Sequence, residues 1–280
     1  MAGDASAKVI SIRELLKKYP SLDSPADLDQ LLALALHKNL EYIYKNPEKK
    51  LSRSQVQAFQ KYLRLRKAHW PLAYLQGSQE FYGLKFLLNK NVLTPRPESE
   101  ILVAEALKYL TPSKNQKVLE MGTGSGCIIV SVAKNAPENS YLASDISLPA
   151  LKIAKTNARK HGLKNQIKFI KSDLFSKIHA AKFNLIMANL PYLNSKQMAE
   201  PSIKKEPAKA LLAGADGLKY YAKFFQQVPN FLADKYQILI EIDPRQTDQI
   251  KEIVKNNLAS AKIEIIKDLA GCDRMVKIKK

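Results

Sequence analysis

The chain has 280 residues, 46% hydrophobic and 25% charged, a balance that excludes a disordered or collagen-like polymer and allows one large core, or a medium core with a small satellite. Forty-five lysines and arginines against 26 acidic residues leave a formal charge of +19, which selects anionic partners such as nucleic acid, ribosomal surfaces or an acidic protein without selecting a chemistry. Cys127 and Cys272 have neither CxxC spacing nor a nearby histidine pair, which argues against a disulfide framework and a metal site. Apolar runs such as 31–36 and 128–133 fall far short of the roughly 20 residues a membrane span needs. The N-terminus lacks the basic start and apolar block of a secretory signal, so a reducing cytoplasm is the expected compartment.

Residues 1 to about 70 read as successive helices over 11–19, 25–37 and 52–70. Ser24 suits an N-cap, and Pro25 suits the first helical position, where its missing N–H leaves nothing unpaired. In the third segment Val56, Phe59, Leu63 and Leu65 approximate an apolar stripe, with Arg53, Lys61, Arg64, Arg66 and Lys67 around it. Between Pro71 and Pro97 the texture turns to β: 80–82 and 84–88 flank Gly83 and predict a hairpin joining two domains. Pro97 can then open a helix running to Leu110.

From Lys117 onward, short apolar strands (117–121, 141–144, 167–170, 183–188 and 236–242) alternate with helical segments. Near-continuous apolar runs of that length suit strands buried on both faces, so the fold class expected is α/β with a doubly wound sheet. Runs 262–268 and 275–279 predict an antiparallel edge pair.

The first of these strands, Val118-Leu119-Glu120-Met121, runs into Gly122-Thr123-Gly124-Ser125-Gly126 and then a helical stretch. Residues without Cβ let backbone approach a ligand closely, and the carboxyl ends of strands are where open α/β sheets bind ligands. A dinucleotide fold wants G-x-G-x-x-G, whereas here the third glycine comes one residue early. Glycines at every second position behind an acidic residue instead resemble motif I of class I S-adenosylmethionine-dependent methyltransferases; the dinucleotide reading stays open on the loop alone. Asp145, 19 residues beyond Gly126, closes the next strand and is placed either to accept from ribose hydroxyls or to cap the helix starting near Ser147. Asp173-Leu174 follows the third strand, where Asp173 can reach an adenine amino group and Leu174 cover its face; an ordinary turn is the alternative.

The strand 183–188 ends in Asn189-Leu190-Pro191-Tyr192. A planar NH2 conjugated to a carbonyl or heteroaromatic ring has little lone-pair density, so methyl transfer to it needs its N–H groups held by acceptors and its face packed. The Asn189 side-chain oxygen and the Leu190 carbonyl can accept, Pro191 stiffens the loop, and Tyr192 can stack. No strong general base is required, because the departing proton can pass to solvent after transfer.

These elements resemble the HemK/PrmC-type peptide chain release factor glutamine methyltransferases over nearly the whole chain. Pro71-Leu72-Ala73-Tyr74-Leu75 with Gly77, Phe81, Tyr82 and Gly83 is similar to the family's linker hairpin, and 92–100 to its proline-arginine-proline signature. The glycine loop, the Asn-x-Pro-Tyr element, Glu206-Pro207 with Ala210-Leu211, Asp216-Gly217-Leu218, Glu241-Ile242 with Gln246, and Asp268-Leu269-Ala270-Gly271 with Arg274 follow in the family's order. The resemblance implies a seven-stranded Rossmann-like class I methyltransferase sheet behind a small all-helical domain. The implied divisions are 1–72 for substrate docking, 73–96 for the hairpin linker and 97–280 for methyl transfer. It implies S-adenosyl-L-methionine as cofactor and transfer to the side-chain amide nitrogen (N5) of the glutamine in the Gly-Gly-Gln loop of class 1 release factors, by a monomer that needs neither membrane nor nucleic acid. Catalysis and substrate binding then fall to Asn189, Pro191 and Tyr192 with Leu190. Cofactor binding falls to Glu120, Gly122, Thr123, Gly124, Ser125, Gly126, Asp145, Asp173, Leu174 and Asn189.

Leu190 replaces the family's usual first proline. Its backbone carbonyl survives the exchange, while the stiffness of the loop comes into question. Asn-Leu-Pro-Tyr is also similar to the loop of ribosomal RNA adenine dimethylases, and a charge of +19 suits RNA. Those enzymes place accessory helices after the cofactor domain, however, whereas here the helices precede it. Arg96 and Glu98 either line the site or tie the linker to the sheet. Glu120 either meets the cofactor's ammonium or organises the loop. The four histidines show no ligand spacing and read as surface or packing residues.

Overall fold

The computed structural model describes residues 10–19, 25–179, 181–201 and 203–280; the N-cap expected at Ser24 lies outside them. Two units divide between Gln76 and Gly77. Among the described residues of the first, α1 (Ile12–Lys18), α2 (Pro25–Leu36), α3 (Leu40–Lys45), α4 (Arg53–Lys67) and α5 (Leu72–Gln76) enclose their own core of Ile12, Leu15, Leu31, Leu32, Ile43, Phe59 and Leu63. Ser11 and Ser52 start α1 and α4 by the same device: each hydroxyl accepts from the N–H three residues on, while Glu14 or Gln55 returns to the cap's own N–H. The sequence reading passed over α3 and α5, each too short to show a helical period.

The stripe on α4 is narrower than expected. Phe59 and Leu63 are buried and Val56 packs beside them, but Leu65, two residues beyond Leu63, turns to another face. Arg66 leaves the basic rim: its Nε donates to Asp27 Oδ2 at 2.7 Å, with both side chains largely covered. Arg53, Lys61, Arg64 and Lys67 remain exposed.

The second unit opens with the hairpin β1 (Ser78–Phe81) and β2 (Leu84–Leu87), paired antiparallel. Its turn is Tyr82-Gly83, and both residues have positive φ, 49° and 69°, as a two-residue turn of matching twist requires. Phe81 and Phe86 are buried in the sheet unit's core, together worth roughly 3–6 kcal/mol of apolar burial. Tyr82 N–H donates to Glu100 Oε1 at 2.8 Å. The fully buried Asn157 accepts from Leu87 N–H at 2.8 Å and donates to the carbonyls of Leu87 and Ser125, so hairpin and glycine loop share one support.

A 3-10 turn over Pro97–Ser99 leads into α6 (Glu100–Leu110). Then follow β3 (Lys117–Met121), α7 (Cys127–Asn135), β4 (Ser140–Asp145), α8 (Leu148–Lys160), β5 (Ile167–Lys171), β6 (Phe183–Ala188), α9 (Lys219–Gln227), β7 (Leu232–Glu241), α10 (Thr247–Asn257), β8 (Lys262–Lys267) and β9 (Asp273–Lys279). They build a seven-stranded sheet in the order β5-β4-β3-β6-β7-β9-β8, with β9 antiparallel to both neighbours. The last two strands pair antiparallel at the edge of the sheet, as expected, with β8 outermost and β9 beside β7. Along β6, Leu185 and Met187 enter the core covered by α6 and α7, while Ile186 and Ala188 enter the core covered by α9 and α10. This two-sided burial explains the unbroken apolar run. No helix among the described residues is long and apolar enough to cross a membrane.

Candidate active site

The chain reverses direction across the sheet between β3 and β6, the switch point at which an open sheet leaves a crevice. Met121 is in register with Ala188, so the first residues past the two strands, Gly122 and Asn189, emerge side by side. A Cβ placed on Gly122 would lie 3.3 Å from Leu190 Cδ2 and 3.6 Å from the Asn189 carbonyl oxygen, and φ there is +74°. Gly126 has φ +79°, and a Cβ would come within 3.1 Å of Ala154 Cβ and 3.2 Å of its Cα. The first and third glycines therefore let the loop lie against Leu190 and α8. At Gly124, by contrast, a Cβ would meet open space.

That space belongs to a cavity of about 430 Å³ whose walls include Gly122, Gly124, Asp145, Asp173, Leu174, Asn189, Leu190 and Pro191. Asp145 both braces and lines it: Oδ2 accepts from Gly124 N–H and Oδ1 from Ser147 N–H, each at 2.8 Å. Burial raises its carboxyl pKa, against the pull of those N–H groups. Leu174 holds φ at +45° on the wall, a left-handed conformation that a leucine keeps only when its surroundings impose it. A cleft with backbone laid open at Gly124, a carboxylate at the end of β4 and an apolar wall at Leu174 fits an adenosyl ligand.

Glu120, Thr123, Ser125 and Gly126 are placed differently. They are not among the residues facing the cavity. Glu120 is 1% exposed and accepts from the Thr123 hydroxyl. Burial pushes its carboxyl up to about 8, only partly opposed by Thr123 and the Ile129 N–H. Of the two roles open for Glu120, the contacts are those of a loop organiser.

The opposite wall comprises 90–93 and 207–210. Buried Glu206 links them: it accepts from Thr94 N–H at 3.1 Å, from the Thr94 hydroxyl at 3.2 Å and from Arg96 at 2.6 Å. Arg96 thus ties the proline-flanked segment to the 203–210 segment.

Beyond β6, Asn189 Nδ2 donates to Glu241 Oε2 at 2.9 Å and to Ser99 Oγ at 3.2 Å, and the Tyr192 hydroxyl donates to Glu241 Oε1 at 3.2 Å. Burial raises the carboxyl of Glu241, against the pull of Ser99, Tyr192 and Arg274; burial and the nearby Glu241 push the Tyr192 phenol far above its usual range. The loop is clasped from behind by Gln246, whose Nε2 donates to the carbonyls of Tyr192 at 3.0 Å and Asp216 at 3.1 Å. A Cβ on Gly217 would fall 2.2 Å from the Tyr192 carbonyl oxygen, so the Asp-Gly-Leu turn requires glycine. In the sequence, Ser99, Glu206, Gln246 and Glu241 stand out only by their order in the chain. Their isolated positions carry no spacing signal that assigns them contacts.

Residues 98–240 match the methyltransferase small domain family, and residues 10–77 match the PrmC N-terminal domain. A release factor glutamine methyltransferase of Rhodopirellula baltica is 34% identical, covering 95% of this chain and 93% of its own length. The chain belongs to the release factor glutamine methyltransferase family. It is also 37% identical to a bifunctional methyltransferase of Rickettsia bellii over 80% of its length, but covers 45% of that protein; it spans about half the length of such relatives. A ribosomal protein L11 methylase of Lactobacillus delbrueckii subsp. bulgaricus, with 22% identity and a TM-score of 0.51 over 68% of this chain and 82% of that one, has the same fold. In the loop after β6, Leu190 is buried against Gly122.

Proposed function

We propose that this chain methylates the side-chain amide nitrogen (N5) of the glutamine in the Gly-Gly-Gln loop of class 1 peptide chain release factors, using S-adenosyl-L-methionine. The observation that carries this reading is one shared cavity, lined by Gly124 and Asp145 together with Asn189, Leu190 and Pro191. When bound, the cofactor supplies an electrophilic methyl group on a sulfonium that departs as a neutral thioether. Asp145 and Asp173 would hold its ribose and adenine, Leu174 would cover the ring, and the opened backbone at Gly122 and Gly124 would receive its amino-acid end.

The substrate carboxamide needs two acceptors for its N–H groups. No described group donates to Asn189 Oδ1, since both bonds the side chain makes use Nδ2; Oδ1 is therefore left to accept, together with the Leu190 carbonyl. Holding the planar amide at one angle supplies orientation, and acceptors aimed at N–H groups that acidify during transfer stabilise the developing charge. The Tyr192 hydroxyl is engaged by Glu241 and its ring packs against the core, so Tyr192 is not among the residues facing the cavity; with its pKa so far raised the phenol is no base, and the proton leaves to solvent.

The helical unit, carrying Arg53, Lys61, Arg64 and Lys67, would meet an acidic surface of the factor in a cytoplasmic, monomeric complex that needs no nucleic acid. The match of residues 10–77 to the PrmC N-terminal domain supports this acceptor over ribosomal RNA adenine. The test supplies methyl-labelled cofactor together with a class 1 release factor, the same factor with its Gly-Gly-Gln glutamine replaced, and ribosomal RNA. Label confined to the intact factor is expected; label in RNA, or in the glutamine-less factor, would overturn the reading.

A further inference from the structure

Asparagine presents two ends of nearly equal size, and half a turn about its terminal bond exchanges an acceptor for a pair of donors. Only the neighbours decide which end faces the substrate. At Asn189 these neighbours are Glu241 and Ser99, 142 residues apart in sequence. Ala188 is in register with Ile240 across the parallel pair β6–β7, so Asn189, one residue past β6, comes beside Glu241, the last residue of β7. The Glu241 side chain is buried, and its backbone carbonyl accepts from the Tyr221 hydroxyl.

We propose that Glu241, with Ser99 as its bridge, is a positioning residue that sets the facing of the Asn189 amide, so that Oδ1 and not Nδ2 is offered to the acceptor carboxamide. This rests on the amide-methylating reading above. Every side chain that hydrogen-bonds the carboxylate does so as a donor: Ser99 Oγ at 2.5 Å, Asn189 Nδ2 at 2.9 Å and Tyr192 OH at 3.2 Å. Because the Ser99 proton is given to Glu241, its oxygen is free to accept from Asn189, at 3.2 Å. A reversed Asn189 would set its carbonyl oxygen against both a carboxylate and an oxygen whose proton is already used. It would also turn two N–H groups toward a substrate that itself brings two N–H groups. Charge-assisted bonds are the stronger kind, and buried polar groups left unpaired are heavily penalised, so the carboxylate locks one of the two facings.

The test uses the full chain. The side-chain nitrogen–proton signals of Asn189, assigned by their loss in Asn189→Ala, are followed without cofactor or substrate. They should be protected from solvent exchange in the unsubstituted protein and should shift and lose protection in Glu241→Gln, whose amide satisfies either facing. With release factor as acceptor, Glu241→Gln should lower kcat about tenfold while KM for the cofactor and Tm hold, as expected for loss of an orienting charge-assisted bond. In an Asn189→Ala background the same substitution should add less than about twofold, because residues acting as one unit do not combine independently. Asn189 signals unchanged by Glu241→Gln, or losses that multiply in the double variant, would overturn the proposal. If Glu241→Gln fails to fold, Ser99→Ala removes only the bridging hydroxyl and carries the same two readouts. No transfer to the factor by the unsubstituted protein would count against the methylation reading alone, since the Asn189 signals decide the facing without substrate.

Discussion

Two adjoining parts of the cavity wall are built from different materials. The part at Gly122, Gly124 and Asp145 is made of backbone: its shape comes from left-handed glycines, and its carboxylate is braced by the N–H groups of Gly124 and Ser147. The part at Asn189 rests on side chains: Asn189 faces the cavity, and behind it stand Ser99, Tyr192 and Glu241, brought together from the turn before α6, the loop after β6 and the end of β7. A backbone cradle serves any ligand of the right shape, whereas a side-chain network with one allowed arrangement selects an acceptor. On the proposed reading, the first holds the cofactor and the second chooses the acceptor.

Substitutions can separate the two. The largest effect is expected for Asn189→Ala, which removes the acceptor at the side-chain part: kcat should fall by about 100- to 1,000-fold, with cofactor affinity, read by calorimetry, within a fewfold of the unsubstituted protein. A parallel loss of cofactor affinity would merge the two parts into one. Asp145→Ala is the converse. Cofactor Kd should rise roughly tenfold or more, as the proposed ribose acceptor is lost and Gly124 N–H left without its partner, while kcat at saturating cofactor changes little.

Glu120→Gln probes the foundation beneath the backbone part. Burial holds the Glu120 carboxyl at about 8 against an ordinary value of 4.5. Between those values the folded protein keeps a proton that the unfolded chain releases, so this group's contribution to stability is full below about 4.5 and is lost as pH rises toward 8. Glutamine should flatten that decline in Tm; an identical slope in both proteins would show that Glu120 does not titrate there. The smallest effect belongs to the helical unit. Reversing the charges of Arg53, Lys61, Arg64 and Lys67 together should raise KM for the release factor about threefold to tenfold, more at low salt, and leave cofactor affinity alone.

The same division governs what could be read from the sequence. The strands from β3 to β7 were legible because strands buried on both faces write themselves as unbroken apolar runs, and the glycine loop because alternate glycines have few other uses. Asp145 and Asn189 were found as the residues that end strands. The antiparallel edge pair β8–β9 was legible too, though not which of the two strands would lie next to β7. The contacts of Glu241 and Ser99 were not: a single glutamate ending a strand and a single serine before a helix acquire meaning only when β6 and β7 bring Asn189 between them. Arg66 shows the same limit in the helical unit, where helical spacing placed it on a solvated rim and Asp27 draws it inward.

The central claim is that this corner accepts a carboxamide because it offers acceptors for both amide hydrogens. It is tested most directly by the affinity of the chain, saturated with demethylated cofactor, for a class 1 release factor carrying Gly-Gly-Gln and for the same factor carrying Gly-Gly-Glu. The carboxylate has the same shape but no hydrogens to give and repels two oxygens, so binding should weaken by about tenfold or more. Equal affinities for the two factors would contradict the account.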